Sequence, residues 1–166
     1  MIVILIISLI LDGLLTNYLP YLVNDLSLFT SLLTVVTIFI IYPGFRKRER
    51  KYFITIFIVG LVYDLLYTNL LFFNALIFLV IAYLSKIIYK NYEVDCFKLI
   101  IYLIGIIISY EVLCASIFFI FDLVPITIDK LIYKITHSIL LNIIYGEIIY
   151  FIMNKLLKNK KKISIN

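Results

Sequence analysis

Six apolar runs follow one another along the chain, at residues 2–22, 26–42, 52–69, 70–89, 99–121 and 131–154, parted by short stretches that carry charge, proline or asparagine. A helix rises 1.5 Å per residue and about 20 apolar residues cross the hydrocarbon of a bilayer, so each run has the length of a membrane-crossing helix. The pattern predicts an all-α integral membrane protein, a single bundle of six transmembrane helices over residues 1–166. The third and fourth runs almost touch, and they become separate helices only if Thr68-Asn69 forms a tight turn. The first run lies where a signal peptide would, but the first basic residue is Arg46 and no small-residue cleavage site follows, so a retained helix is expected.

Composition agrees with the pattern. Of 166 residues, 64% are hydrophobic and 15% charged, and the mean hydropathy is +1.14, against about 45–50% apolar and about 25% charged in a soluble domain. Six crossings use up this length, which leaves no room for a catalytic domain outside the membrane. The net charge of +5 does not signal a nucleic-acid partner, because the basic residues sit in short gaps between apolar runs and not on a folded face.

Those gaps orient the chain. With the tail after Asn154 in the cytoplasm, 13 of the Lys and Arg residues fall on the inner side, in the gaps around Arg46, Lys90 and Lys160. Only Lys130 and Lys134 fall near the outer side. The positive-inside rule therefore predicts that both termini are cytoplasmic and that the number of helices is even. Tyr18, Tyr21, Tyr67 and Tyr133 near the outer boundary, and Tyr42, Tyr52, Tyr89, Tyr92 and Tyr150 near the inner one, suit interfacial anchors.

Ionisable groups inside hydrocarbon are costly and normally face a bundle interior, a cavity or a partner. Asp12, Asp64, Glu111 and Glu147 fall within the runs, with His137 and Asn142. Asp12 and Glu147, nearer run ends, read as local structural or snorkelling residues. Gly60, Asp64, Tyr67 and Thr68 share one helix face, which is either a structural hydrogen-bond node or a site needed directly by a ligand or partner. In the fifth run Gly105, Ser109 and Ser116 form a small-residue face, while Glu111 points roughly 140° away. Either that helix is central to the bundle, or one face is reserved for another membrane protein.

Catalysis has little support. His137, Asn142 and Glu147 are five residues apart, a step of about 140° around a helix, so one helix cannot gather them into a site. The nucleophile elbow, the His-Glu-x-x-His zinc motif and the glycine-rich phosphate loop are all missing from the sequence. Cys96 and Cys114 give neither a disulfide framework nor paired zinc spacing. No enzyme activity, cofactor or metal is expected.

The stretch from Gly60 through Asp64 and Asn69 to Asn74-Ala75 resembles the signature region of the rod shape-determining protein MreD family. There a Gly-x-x-x-Asp step is followed about ten residues on by an Asn-Ala or similar pair that opens the next helix. The six runs, the basic loop before the third helix, the short basic tail, and Pro20 with Asn24-Asp25-Leu26 at the first outer turn also resemble that family. Phe72 departs from it, since the family commonly has glycine there, which implies a differently built turn before Asn74.

The resemblance implies a non-enzymatic subunit of the bacterial elongation machinery, coupling actin-like MreB filaments to lateral cell-wall synthesis. The partners it implies are an MreC-like single-pass protein and the RodA and penicillin-binding synthase pair. Gly60, Asp64, Asn74, Glu111 and His137 are the candidate structural or partner-contact residues. The alternative is the substrate-binding subunit of an energy-coupling factor vitamin transporter, whose fold is similar. That class usually docks its coupling subunit through an Ala-x-x-x-Ala surface on the first helix, and residues 2–22 contain no alanine.

Overall fold

The computed structural model describes residues 1–22, 31–68, 70–122 and 127–163, the side chains of 17–22 and 160–163 excepted. Over these residues the protein is helical throughout. The helices are α1 (Ile2–Leu22), α2 (Leu33–Ile41), α3 (Glu49–Tyr63), α4 (Phe73–Asn91), α5 (Cys96–Ile120) and α6 (Ile128–Ile163). Four stretches, Glu49–Thr68, Phe73–Asn91, Cys96–Ile120 and Ile128–Asn159, are long and apolar enough to cross a membrane. Ile2–Thr16 and Leu33–Phe45 are shorter apolar helices.

The shortest helix organises the rest. α2 reads Leu-Thr-Val-Val-Thr-Ile-Phe-Ile-Ile, without a charged residue on any face, and all nine residues are buried. A helix apolar all round belongs in a core, and α2 packs against α1, α4, α5 and α6. Thr37 does not conflict with this position. The Ser8 hydroxyl of α1 lies 2.6 Å from that of Thr37 and 2.7 Å from that of Tyr145, linking α1, α2 and α6 through hydroxyls alone. Pro43 supplies no backbone N–H, so the α-helical ladder stops at Ile41 and the chain tightens into a 3₁₀ turn, Tyr42–Phe45.

Several boundaries differ from the hydropathy reading. The second helix starts at Leu33, and the expected run from Leu26 falls partly outside the described residues. α3 passes into a π-helical turn, Asp64–Thr68, and α4 opens at Phe73, three residues later than expected. The break therefore lies nearer residues 70–72 than Thr68. Asn69 itself lies outside the described residues. α6 is longer than its apolar run: its 36 residues span about 54 Å, enough to carry its basic end well beyond about 30 Å of hydrocarbon.

Candidate functional site

The first residue needed is one without a side chain. Gly60 faces the start of α4 so closely that a Cβ there would overlap the Ala75 Cα and stand 2.9 Å from the Ala75 N. One helical turn later, the approach lets Asp64 reach across. Its Oδ1 accepts hydrogen bonds from the Asn74 backbone N–H at 2.9 Å, the Asn74 side-chain amide at 2.9 Å and the Thr68 hydroxyl at 3.0 Å. Its Oδ2 accepts from the Ala75 N–H at 3.2 Å.

Asn74 and Ala75 lie in the first turn of α4, where N–H groups have no partner within the helix. Asp64 thus performs the task of an N-cap from a different helix, its carboxyl group placed at the positive end of the α4 dipole. The hydrogen bonds to the carboxylate all run toward it, each of these groups acting as donor. Asn74 extends the link, its Oδ1 accepting the Tyr110 hydroxyl of α5 at 2.8 Å. Asp64, Asn74 and Tyr110 are all buried, so the chain of bonds ties α3, α4 and α5 inside the bundle. Tyr67 leaves in another direction and donates to the Leu9 carbonyl of α1 at 3.0 Å.

Phe72 explains the departure at the turn. It precedes α4 with φ 69° and ψ −2°, the left-handed conformation that glycine adopts without cost and that costs other residues about 1–2 kcal/mol. The turn keeps the backbone suited to glycine, and here a phenylalanine bears it. Its ring stacks on Phe57 at 6.5 Å between centroids, a contact of the kind worth about 0.5–1.5 kcal/mol that offsets much of the strain.

The same device occurs in α1: of the local structural or snorkelling role expected for Asp12, the structure shows the structural one, since Asp12 is 2% exposed and bonds to the start of α2. Its Oδ1 accepts from the Ser31 hydroxyl at 2.6 Å and the Leu33 N–H at 2.8 Å, and its Oδ2 from the Thr34 N–H at 2.7 Å. Asn142 of α6 completes the cap by accepting the Leu32 N–H at 2.9 Å. Burial is tolerable because a helix N-terminus supplies the donors that water would otherwise give.

The third pair of helices uses the motif differently. Glu111 of α5 is 1% exposed and its Oε2 meets the Lys134 Nζ of α6 at 2.9 Å. In all three pairs, a buried acid on the odd-numbered helix engages the helix that follows it. His137 stands apart from the Asp64 cluster: it is half-buried on α6, with Nδ1 2.8 Å from the Tyr133 carbonyl oxygen and its ring against that of Tyr133. Thus Gly60, Asp64 and Asn74 come together, while Glu111 joins α5 to α6 through Lys134 and His137 sits on α6 beside Tyr133. Among the described residues no cluster of His, Cys, Asp or Glu has the makings of a metal site.

The two faces of α5 now separate. Glu111 faces inward to Lys134, whereas a Cβ built on Gly105 would meet nothing within 4 Å. Ser109 and Ser116 turn their hydroxyls back to the Gly105 and Val112 carbonyls of their own helix, each at 2.7 Å. Among the described residues nothing covers Gly105, and on the same face Ser116 is exposed and Ser109 half-buried.

Compared with known proteins, residues 1–160 match the family model described as rod shape-determining protein MreD. No curated protein and no solved structure matches the chain.

Proposed function

From the fact that the chain belongs to the rod shape-determining protein MreD family, we propose that it acts as a non-enzymatic membrane scaffold for lateral cell-wall synthesis. The family carries a role in determining rod cell shape, and its helices make the chain a multi-pass membrane protein. The finer reading is a subunit of the elongation machinery in the bacterial cell membrane. It holds an MreC-like single-pass protein and acts beside MreB-like filaments and the RodA and penicillin-binding synthase complex.

The observation that carries this reading is the division of labour between acids and small residues. Asp12 and Asp64 are occupied in capping helices and Glu111 in an ion pair, which supports a structural use of the groups that a membrane enzyme would otherwise need. The open face at Gly105, Ser109 and Ser116 supports a helix-sized partner, because small residues let two helix backbones approach closely in lipid. Six crossings with both termini cytoplasmic are proposed with it, supported by the 13 to 2 division of basic residues. In cells, cysteines introduced at Arg48 and Lys160, with Cys96 and Cys114 removed, should resist a membrane-impermeant thiol reagent, while one at Asp129 should react. Labelling at Arg48 contradicts the arrangement.

Depletion of the protein should turn rod-shaped cells round, and affinity purification in mild detergent should recover a single-pass envelope protein. Recovery of two ATPases and a membrane coupling protein, with a vitamin-uptake defect and unchanged shape, would instead identify a transporter subunit.

A further inference from the structure

A cavity of about 1030 Å³ opens where the start of α1, the 3₁₀ turn after α2 and the last turns of α6 meet. Arg46, Lys47, Arg48, Lys51 and Lys158 line it, with no acidic residue in the lining. Among the described residues none of these five cations pairs with a carboxylate: Glu49, the acid nearest in sequence, is engaged by Lys86 at 2.7 Å and by the Tyr42 hydroxyl at 3.1 Å. The remainder of the lining is apolar, including Ile2, Val3, Phe45 and Leu157. Five uncompensated positive charges beside an apolar wall match an amphiphile with an anionic head.

The surface leading away from the cavity fits the rest of such a molecule. Val3, Ile7, Ile10 and Leu14 are exposed on α1 at alternating steps of four and three residues, forming one outward apolar stripe that begins at the cavity mouth. Eleven residues of helix cover about 16 Å, close to half of about 30 Å of hydrocarbon, the depth that an acyl chain occupies in one leaflet. We propose that this cavity is a seat for an anionic phospholipid of the cytoplasmic leaflet, its phosphate among the Arg46, Arg48, Lys51 and Lys158 side chains and its chains along the α1 stripe. Guanidinium groups bind phosphate through paired N–H donors, and basic pockets between membrane helices favour anionic head groups. The proposal rests on the cytoplasmic placement of the basic end but not on any protein partner.

The chain contains no tryptophan, so one introduced tryptophan reports cleanly on its neighbouring lipids. The full-length Ile7→Trp protein is reconstituted in phosphatidylcholine vesicles containing dibrominated phosphatidylglycerol or dibrominated phosphatidylcholine, whose bromines quench on contact. Quenching should show at least about fivefold preference for phosphatidylglycerol at this reporter, and a ratio near one with Phe97→Trp, placed at the start of α5. Arg46→Gln, Arg48→Gln and Lys51→Gln together should reduce the preference to below about twofold, whereas Lys90→Gln with Lys98→Gln should leave it intact. Equal quenching by the two lipids, or equal loss from both sets of substitutions, overturns the seat in favour of diffuse charge attraction. Loss of the preference on adding inorganic phosphate at matched ionic strength overturns it in favour of a soluble anion site.

Discussion

Replacing Asp64 by leucine is expected to remove most of the folded protein from the membrane. The substitution strands the Asn74 and Ala75 backbone N–H groups and the Asn74 side-chain amide, all of which donate to the carboxylate. Each buried donor left unsatisfied costs about 1–3 kcal/mol, and hydrocarbon offers no water in exchange, so the loss should total about 3–9 kcal/mol. That is a large part of the 5–15 kcal/mol typical of a whole domain. Asp64→Asn should be milder, about 1–2 kcal/mol. Its remaining oxygen can serve the three donors now on Oδ1, while its NH₂ would oppose the Ala75 N–H as donor against donor. Thermal unfolding in detergent, followed by circular dichroism, measures both. An Asp64→Asn protein that folds normally but fails to support rod shape would show that a partner reads the carboxylate.

Gly60→Ala should be nearly as damaging although it adds a single methyl group. The new Cβ would meet the backbone of Ala75 and not the end of a movable side chain. α3 and α4 would therefore have to separate, which lengthens the Asp64 bond to the Ala75 N–H, already 3.2 Å. Overpacking of this kind costs about 1–3 kcal/mol, and the weakened cap adds to it. Gly105→Ala is the control, since open space lies beyond that glycine and alanine is about 1 kcal/mol better than glycine inside a helix. Its thermal midpoint should equal or exceed that of the natural protein, while that of Gly60→Ala should fall.

The Gly60–Asp64 step could be read from the sequence because both residues lie on one helix at i and i+4, and the Asn-Ala pair follows at a distance that a tight turn can close. The Asp12 cap could not be read in the same way. Ser31 and Thr34 lie 19 and 22 residues beyond Asp12, and no local capping pattern joins them. A useful signal would have been the parallel itself: an uncompensated acid within an odd-numbered helix, followed by a helix start bearing Ser, Thr or Asn. The short α2 was hidden for another reason. Hydropathy carries a single run from Leu26 to Tyr42, and nothing in a continuous apolar run marks that α2 begins at Leu33. The left-handed Phe72 was visible only as a missing glycine. The pattern on α5 marks two polar or small-residue faces, but burial was needed to tell which one the bundle covers, and it covers the Glu111 side.

The proposal that the open face of α5 receives a partner helix is tested most directly by filling it. Gly105→Leu combined with Ser109→Leu adds bulk where the described residues leave room at Gly105 and removes a hydroxyl bonded to its own helix at 2.7 Å. Expressed in place of the natural protein in rod-shaped cells, the double variant should accumulate to a normal level and keep a normal thermal midpoint. It should nevertheless leave the cells round and recover no single-pass envelope protein on affinity purification. Rod-shaped cells with the single-pass protein co-purifying in normal amount would contradict the account.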